Sequence, residues 1–170
     1  MSAAPEPEPL LDGFEVVPEV YPASNLIWPV RALLVVIALG IAGVMTVGAC
    51  LHPYDSDGQP KKQETHRQLG LPACSFYRMT ALPCPSCGFT TSFSLVMHLD
   101  PLNALRANSV GTILALFCLC VVPWAIVSAW RGRYVWVASG EQTLIVCLVA
   151  FVVMMLTRWA ILLSITMANR

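Results

Sequence analysis

Charged residues are scarce in this chain, and their scarcity excludes an ordinary soluble domain. Only 12% of its 170 residues are Asp, Glu, Lys or Arg, whereas 56% are hydrophobic. A water-soluble domain carries roughly twice that charged fraction, because its surface must be solvated. The formal net charge is zero and no long basic stripe is present, so we expect no nucleic-acid partner. The composition indicates a protein whose main partner is the lipid bilayer.

Common catalytic motifs are also missing. The sequence has no paired carboxylates, no HExxH segment and no glycine-rich loop that would hold a phosphate. Ser94 and His98 are one helical turn apart, but such a pair without a third partner is not a hydrolase site. We therefore expect no catalysis. If the chain were an enzyme, its cysteines would make it a thiol-disulfide oxidoreductase.

Three long apolar runs predict an all-α integral membrane protein with three transmembrane helices. We place the helices at residues 30–51, 110–130 and 143–165, with a short loop at 131–142. Each run is close to the roughly 20 apolar residues that a helix needs to cross a bilayer. Pro123 lies inside the second helix, where we expect it to produce a kink.

The N-terminal segment, residues 1–29, is acidic and rich in proline. Alternating Pro and Glu cannot bury enough apolar area to offset the entropy of ordering, so we predict a disordered tail. The segment is too acidic for a secretory signal. Residues 47–50 resemble a lipoprotein cleavage site, but the acidic leader and the two further membrane spans argue against cleavage.

The connection between the first two spans, residues 52–109, is expected to contain one short helix near the membrane surface. Residues 89–99 alternate apolar and polar side chains at helical spacing, but they are too few to span a membrane. We predict an interfacial or re-entrant helix there. Asp100 followed by Pro101 is a typical helix start and leads into the second span.

A Cys-Pro-Ser-Cys-Gly turn in this connection carries the main chemical signal of the chain. Of the seven cysteines, four lie in or beside apolar stretches, where a thiol behaves as a small hydrophobic group. The other three, Cys74, Cys84 and Cys87, lie in polar sequence. An odd number of such thiols fits metal or redox chemistry better than paired structural disulfides.

Three hypotheses compete for these thiols. The leading one is structural: the turn directs the chain at the membrane surface and serves assembly or partner docking. The second is a zinc site formed by Cys74, Cys84 and Cys87, with His66 as a candidate fourth ligand. His98 is a weaker candidate, because a helix over residues 89–99 would hold it roughly 15 Å from the turn. The third is thiol redox chemistry at Cys84 and Cys87, assisted by Cys74, with the helix start favouring the thiolate.

Arg158 interrupts the third apolar run. A charge inside a span is functional by default, which allows a pairing role inside a bundle or oligomer. It lies beside Trp159, however, and within reach of a membrane surface. We therefore favour a side chain that extends along the helix to the interface.

The sequence around the turn resembles a known family. The resemblance covers about residues 68–130 and rests on the strings Leu69-Gly70-Leu71-Pro72-x-Cys74, Arg78-x-Thr80-x-Leu82-Pro83-Cys84-Pro85-x-Cys87-Gly88-x-Thr90, His98-x-Asp100, Ala104-x-Arg106 and Asn108. These resemble the bacterial membrane family called domain of unknown function 2752. The resemblance implies a small multi-pass protein of the inner membrane without an established activity. Thr91 stands where the family has Arg, which removes a positive charge beside the thiols.

Orientation and partners follow from charge and size. Lys and Arg are more numerous in the 52–109 connection than on the opposite side, so the positive-inside rule predicts that this connection is cytoplasmic. Three short helices bury little surface. We therefore expect a homo-oligomer or a membrane protein partner, with Ala38 and Ala42 as a packing face on the first span.

Overall fold

The computed structural model describes residues 25–82, 84–137 and 139–169. The described residues are mainly helical, and three of their helices are long and apolar enough to cross a membrane. These are α1 (Trp28–Cys50), α4 (Pro101–Arg131) and α5 (Gly140–Ala168); α2 (Ser75–Thr80) and α3 (Phe89–Met97) are short. The predicted all-α membrane fold is confirmed. Most of the predicted disordered tail, residues 1–24, lies outside the described residues.

Helices α1 and α4 run antiparallel and form the frame of the bundle. Pro29 lies in the first turn of α1, where its missing N–H costs nothing. Near this end, Arg31 Nε donates to the carbonyl of Ala129 at 2.7 Å and Nη2 to that of Trp130 at 3.3 Å. Arg31 thus caps the C-terminal end of α4, where the helix dipole favours a cation.

Helix α3 is enclosed between α1 and α4. Its residues Leu95 and Val96 are buried in the apolar core, and Gly48 of α1 lies against Phe93 and Met97. The short helix was predicted from the same sequence pattern, with its start at residue 89. Its polar side is also buried, because Ser94 Oγ donates to the carbonyl of Leu51 at 2.9 Å.

A break divides α4 near its start. Asn108 has φ −158° and ψ 108°, so the helix consists of two parts, 101–107 and 109–131. The first part begins as predicted, with Asp100 accepting a hydrogen bond from the Asn103 amide. Pro123 lies inside the second part, as the sequence predicted, whereas the non-helical backbone lies at Asn108.

Helix α5 packs against the bundle through a small number of contacts, and none of its described residues is fully buried. Two of the contacts are edge-to-face aromatic pairs, Phe89–Phe151 with ring centroids 6.1 Å apart and Phe76–Trp159 at 6.4 Å. Both partners come from the 52–109 connection. The third membrane-length helix therefore packs against the segment that carries the cysteines.

Candidate metal centre

The Cys84–Cys87 turn leads directly into α3. The amide of Cys87 donates to the carbonyl of Cys84 at 3.2 Å, and that of Phe89 to the carbonyl of Ser86 at 3.1 Å. Gly88 ends the turn with φ +90°, a conformation that L side chains rarely adopt. A Cβ at this position would lie 2.9 Å from the carbonyl oxygen of Ala107. Only glycine lets the turn approach α4 so closely.

The turn and the start of α2 bring three thiols together. Cys74 directly precedes α2, and its Sγ lies within 4.8 Å of the Sγ atoms of Cys84 and Cys87, which also lie within that distance of each other. All three residues are partly buried. Around a tetrahedral zinc ion, sulfurs that are each about 2.3 Å from the metal lie about 3.8 Å apart. The observed grouping is close to that arrangement.

The two thiols of the turn differ in acidity. Burial acts to raise the pKa of Cys84, but hydrogen bonds with Ser86, whose Oγ lies 3.2 Å from Sγ, and with the other two thiols outweigh it and lower that pKa. Burial and the neighbouring thiols raise the pKa of Cys87 to about 12. Cys84 is therefore the more reactive thiol, and Cys87 stays protonated until a cation displaces its proton.

Asn108 holds the turn against α4. Its side-chain Nδ2 donates to the carbonyl of Cys87 at 2.9 Å, and its Oδ1 accepts from the amide of Gly111 at 3.0 Å. The second bond is an N-cap of the helical part 109–131. Two helix N-termini, those of α3 and of this part, therefore meet near Cys87, where their dipoles favour negative charge.

The break at Asn108 leaves carbonyl groups without helical partners, and side chains from other helices supply donors. Ser92 Oγ lies 2.9 Å from the carbonyl of Gly88, 3.2 Å from that of Ala104 and 3.1 Å from that of Asn108, and its single proton can be donated to one of them at a time. Arg158 Nη2 of α5 lies 3.4 Å from the carbonyl of Ala107. Sequence reasoning treated Asn108 only as part of a resemblance. An Asn inside a helical run, with its strong preference for N-caps, was the available signal.

Arg158 points into the protein rather than along α5. Its Nη1 is buried, and its Nη2 is directed at the carbonyl of Ala107 in α4. The interpretation of Arg158 as a side chain that reaches for the membrane surface was therefore wrong. Thr91 is buried, and its Oγ1 lies 2.8 Å from that of Thr65.

The two candidate histidines occupy different places. His66 lines the same open cleft as the three cysteines, and its Nε2 lies 3.2 Å from the carbonyl of Pro72. Its ring nitrogens are outside the group of ligand atoms that meet within 4.8 Å. His98 lies at the opposite end of α3, where its Nδ1 contacts the carbonyl of Ser94 at 2.8 Å and its ring packs edge-on against Tyr54.

Residues 74–122 match the model of the family described as "Protein of unknown function (DUF2752)". This part of the chain is similar to that family. The match lies inside the span predicted from the resemblance, about 68–130, and it contains all three clustered cysteines. No curated protein and no solved structure matched the chain. The DUF2752 region thus includes the thiol cluster, α3 and the break in α4, whereas Arg158 and the rest of α5 lie beyond it.

Proposed function

We propose that this chain is an integral membrane protein that binds one zinc-class metal ion through Cys74, Cys84 and Cys87. The observation that carries the proposal is the approach of the three sulfurs to within 4.8 Å of one another from two separate segments. Thiolate ligands select soft cations such as zinc over magnesium or calcium. The helix N-termini near Cys87 favour the negative charge that thiolates bring.

We assign the fourth ligand position to His66. It lines the same cleft as the cysteines, and a contact of Nε2 with the carbonyl of Pro72 leaves Nδ1 available. Metal-binding histidines commonly donate their second ring N–H to a backbone carbonyl. Because its nitrogens lie outside the sulfur group, His66 has to turn toward the ion when the metal binds.

The metal would serve the architecture of the connection. An ion held by Cys74, Cys84 and Cys87 joins the start of α2 to the start of α3, and so pins a loop-rich segment onto the membrane bundle. This role agrees with the structural and assembly function favoured by the sequence. We place the connection on the cytoplasmic side of the inner membrane, where a reducing environment keeps thiols available for metal.

Zinc content tests this proposal directly. The protein should be purified in detergent without a metal-affinity tag. We expect elemental mass spectrometry to find about one zinc ion per chain. Extensive dialysis against buffer should retain the ion, and a strong chelator should remove it. A chain that remains metal-free after incubation with zinc and dialysis would contradict the proposal.

A second candidate function, thiol-disulfide exchange, is favoured by the unequal acidity of Cys84 and Cys87. The Cys84 thiolate would attack a partner disulfide, forming a mixed disulfide and releasing one partner thiol. Cys87, after losing its proton, would then attack Cys84 Sγ, giving a Cys84–Cys87 disulfide and the second partner thiol. The protein dithiol is oxidised and the partner disulfide is reduced.

Differential alkylation separates the two functions. In a titration with reduced and oxidised glutathione, exchange chemistry predicts that Cys84 and Cys87 become protected together at one potential. Below its lowered pKa, Cys84 should also react faster than Cys87 with iodoacetamide, and its rate should rise with pH as the thiolate fraction grows. Unchanged labelling over the whole glutathione range would reject this candidate and leave the metal proposal standing.

A further inference from the structure

Arg158 has one terminal nitrogen that its known contacts do not explain. Nη2 lies 3.4 Å from the carbonyl of Ala107. Nη1 is buried and has no hydrogen-bond partner among the described residues. An unpaired donor of a charged group is costly to bury, so a native partner is expected. The carbonyl of Ala107 is therefore a partner for only one of the two terminal nitrogens of the guanidinium group.

A sulfur atom of the thiol cluster is a candidate for that partner. Gly88, the neighbour of Cys87, approaches the same Ala107 carbonyl that Arg158 contacts. Three thiolates around a divalent cation carry a net charge of about −1, which is unfavourable where water is scarce. A guanidinium donor beside a bound sulfur offsets that charge and makes a charge-assisted hydrogen bond.

The surroundings of Arg158 point to the same site. Trp159, the next residue, packs against Phe76, which lies two residues after Cys74. Phe151, about two helical turns earlier, packs against Phe89, which lies two residues after Cys87. Both cysteine segments therefore contact α5 on the two sides of Arg158. These are among the few contacts that hold α5, which has no fully buried residue in its described length.

We propose that Arg158 is a positioning residue of the metal centre. Its Nη1 donates to the metal-bound sulfur of Cys87, and metal binding thereby draws α5 onto the bundle. This inference rests on the proposed metal function and adds a role for the third membrane helix. It links the occupancy of a site in the DUF2752 region to the packing of a helix outside that region.

The test compares zinc affinity in full-length variants by competition with a chromogenic chelator. We expect Arg158→Gln to weaken zinc binding about 10- to 100-fold, as loss of an outer-sphere partner does. Arg158→Lys retains the charge without the fork and should recover part of the affinity. Arg131→Gln is the matched control, since Arg131 is exposed at the C-terminal end of α4 and should leave the affinity unchanged.

A second measurement reports the position of α5. A photoreactive phenylalanine analogue at position 76 should cross-link to α5 in higher yield with zinc than without it, and Arg158→Gln should abolish the difference. This readout remains informative if the variant is less stable, because each protein is compared with itself.

The outcomes separate the two proposals. If the unmodified protein binds no zinc, the metal function fails. If it binds zinc and Arg158→Gln binds with equal affinity, the metal function stands and the role of Arg158 is overturned. A variant that loses stability without metal, yet keeps normal zinc affinity when folded, would show that Arg158 only caps the break in α4.

Discussion

Replacing Cys87 by serine is expected to remove high-affinity metal binding while leaving the membrane helices folded. Structural zinc sites bind with about 10 to 16 kcal/mol in total, so the loss of one of four ligands should cost roughly 2.5 to 4 kcal/mol. That corresponds to an affinity that is weaker by between about 60-fold and about 700-fold. Cobalt substitution is the measurement, because the sulfur-to-cobalt absorption reports both affinity and the number of bound thiolates. Cys74→Ser and Cys84→Ser should behave in the same way.

Cys120→Ser is the matched control. Cys120 is an exposed cysteine in the middle of α4 and lies outside the thiol cluster. The same chemical change there should leave cobalt binding and its spectrum unaltered. Equal loss in the control and in Cys87→Ser would indicate general unfolding, and no loss in either would show that the cluster does not hold the ion.

Asn108→Leu is expected to cause a large loss of stability. Leucine is similar in size but removes the N-cap of the 109–131 part and the donor to the carbonyl of Cys87. A lost cap costs about 1 kcal/mol, and a buried carbonyl without a donor about 1 to 3 kcal/mol. We therefore expect about 2 to 4 kcal/mol in total, measured by thermal unfolding in detergent with circular dichroism.

The same substitution at Asn103 provides the comparison. Asn103 lies in the first turn of α4 and bonds Asp100 and Arg106 at the partly exposed end of the helix. Its loss should cost less than that of Asn108. Asn108→Leu should also increase alkylation of Cys84, because the turn is no longer held against α4. Equal effects at both positions would argue against a special role of the break.

Much of the fold was accessible from the chain alone because its signals are local. The apolar runs gave the three membrane-length helices, and the Asp100-Pro101 pair predicted where α4 begins. The alternating pattern after Gly88 predicted α3, although it did not show that the polar side of α3 would be buried. The likeness to the DUF2752 family, confirmed over residues 74–122, also depended on a continuous stretch of sequence.

The residues of the site could be predicted from the sequence only in part. Cys74, Cys84 and Cys87 were candidate ligands from their polar surroundings, but the spacing between Cys74 and the turn left their distance open. Asn108 carried a local signal, its preference for N-caps, that was not used. Arg158 carried a misleading one, because α5 is apolar on nearly all sides and its sequence does not show which side faces the bundle.

Composition and local pattern were therefore sufficient for the class of the protein, its helices and its set of thiols, because burial in lipid and helix capping act within a few residues. Tertiary packing decided the rest. It brings the three sulfurs together and places the broken helix and Arg158 at the same site. Arg158 lies 71 positions after Cys87 in the chain, and no local pattern relates residues so far apart. Their proximity arises because α3 is enclosed by α1 and α4, and because α5 packs against the aromatic residues that follow each cysteine segment.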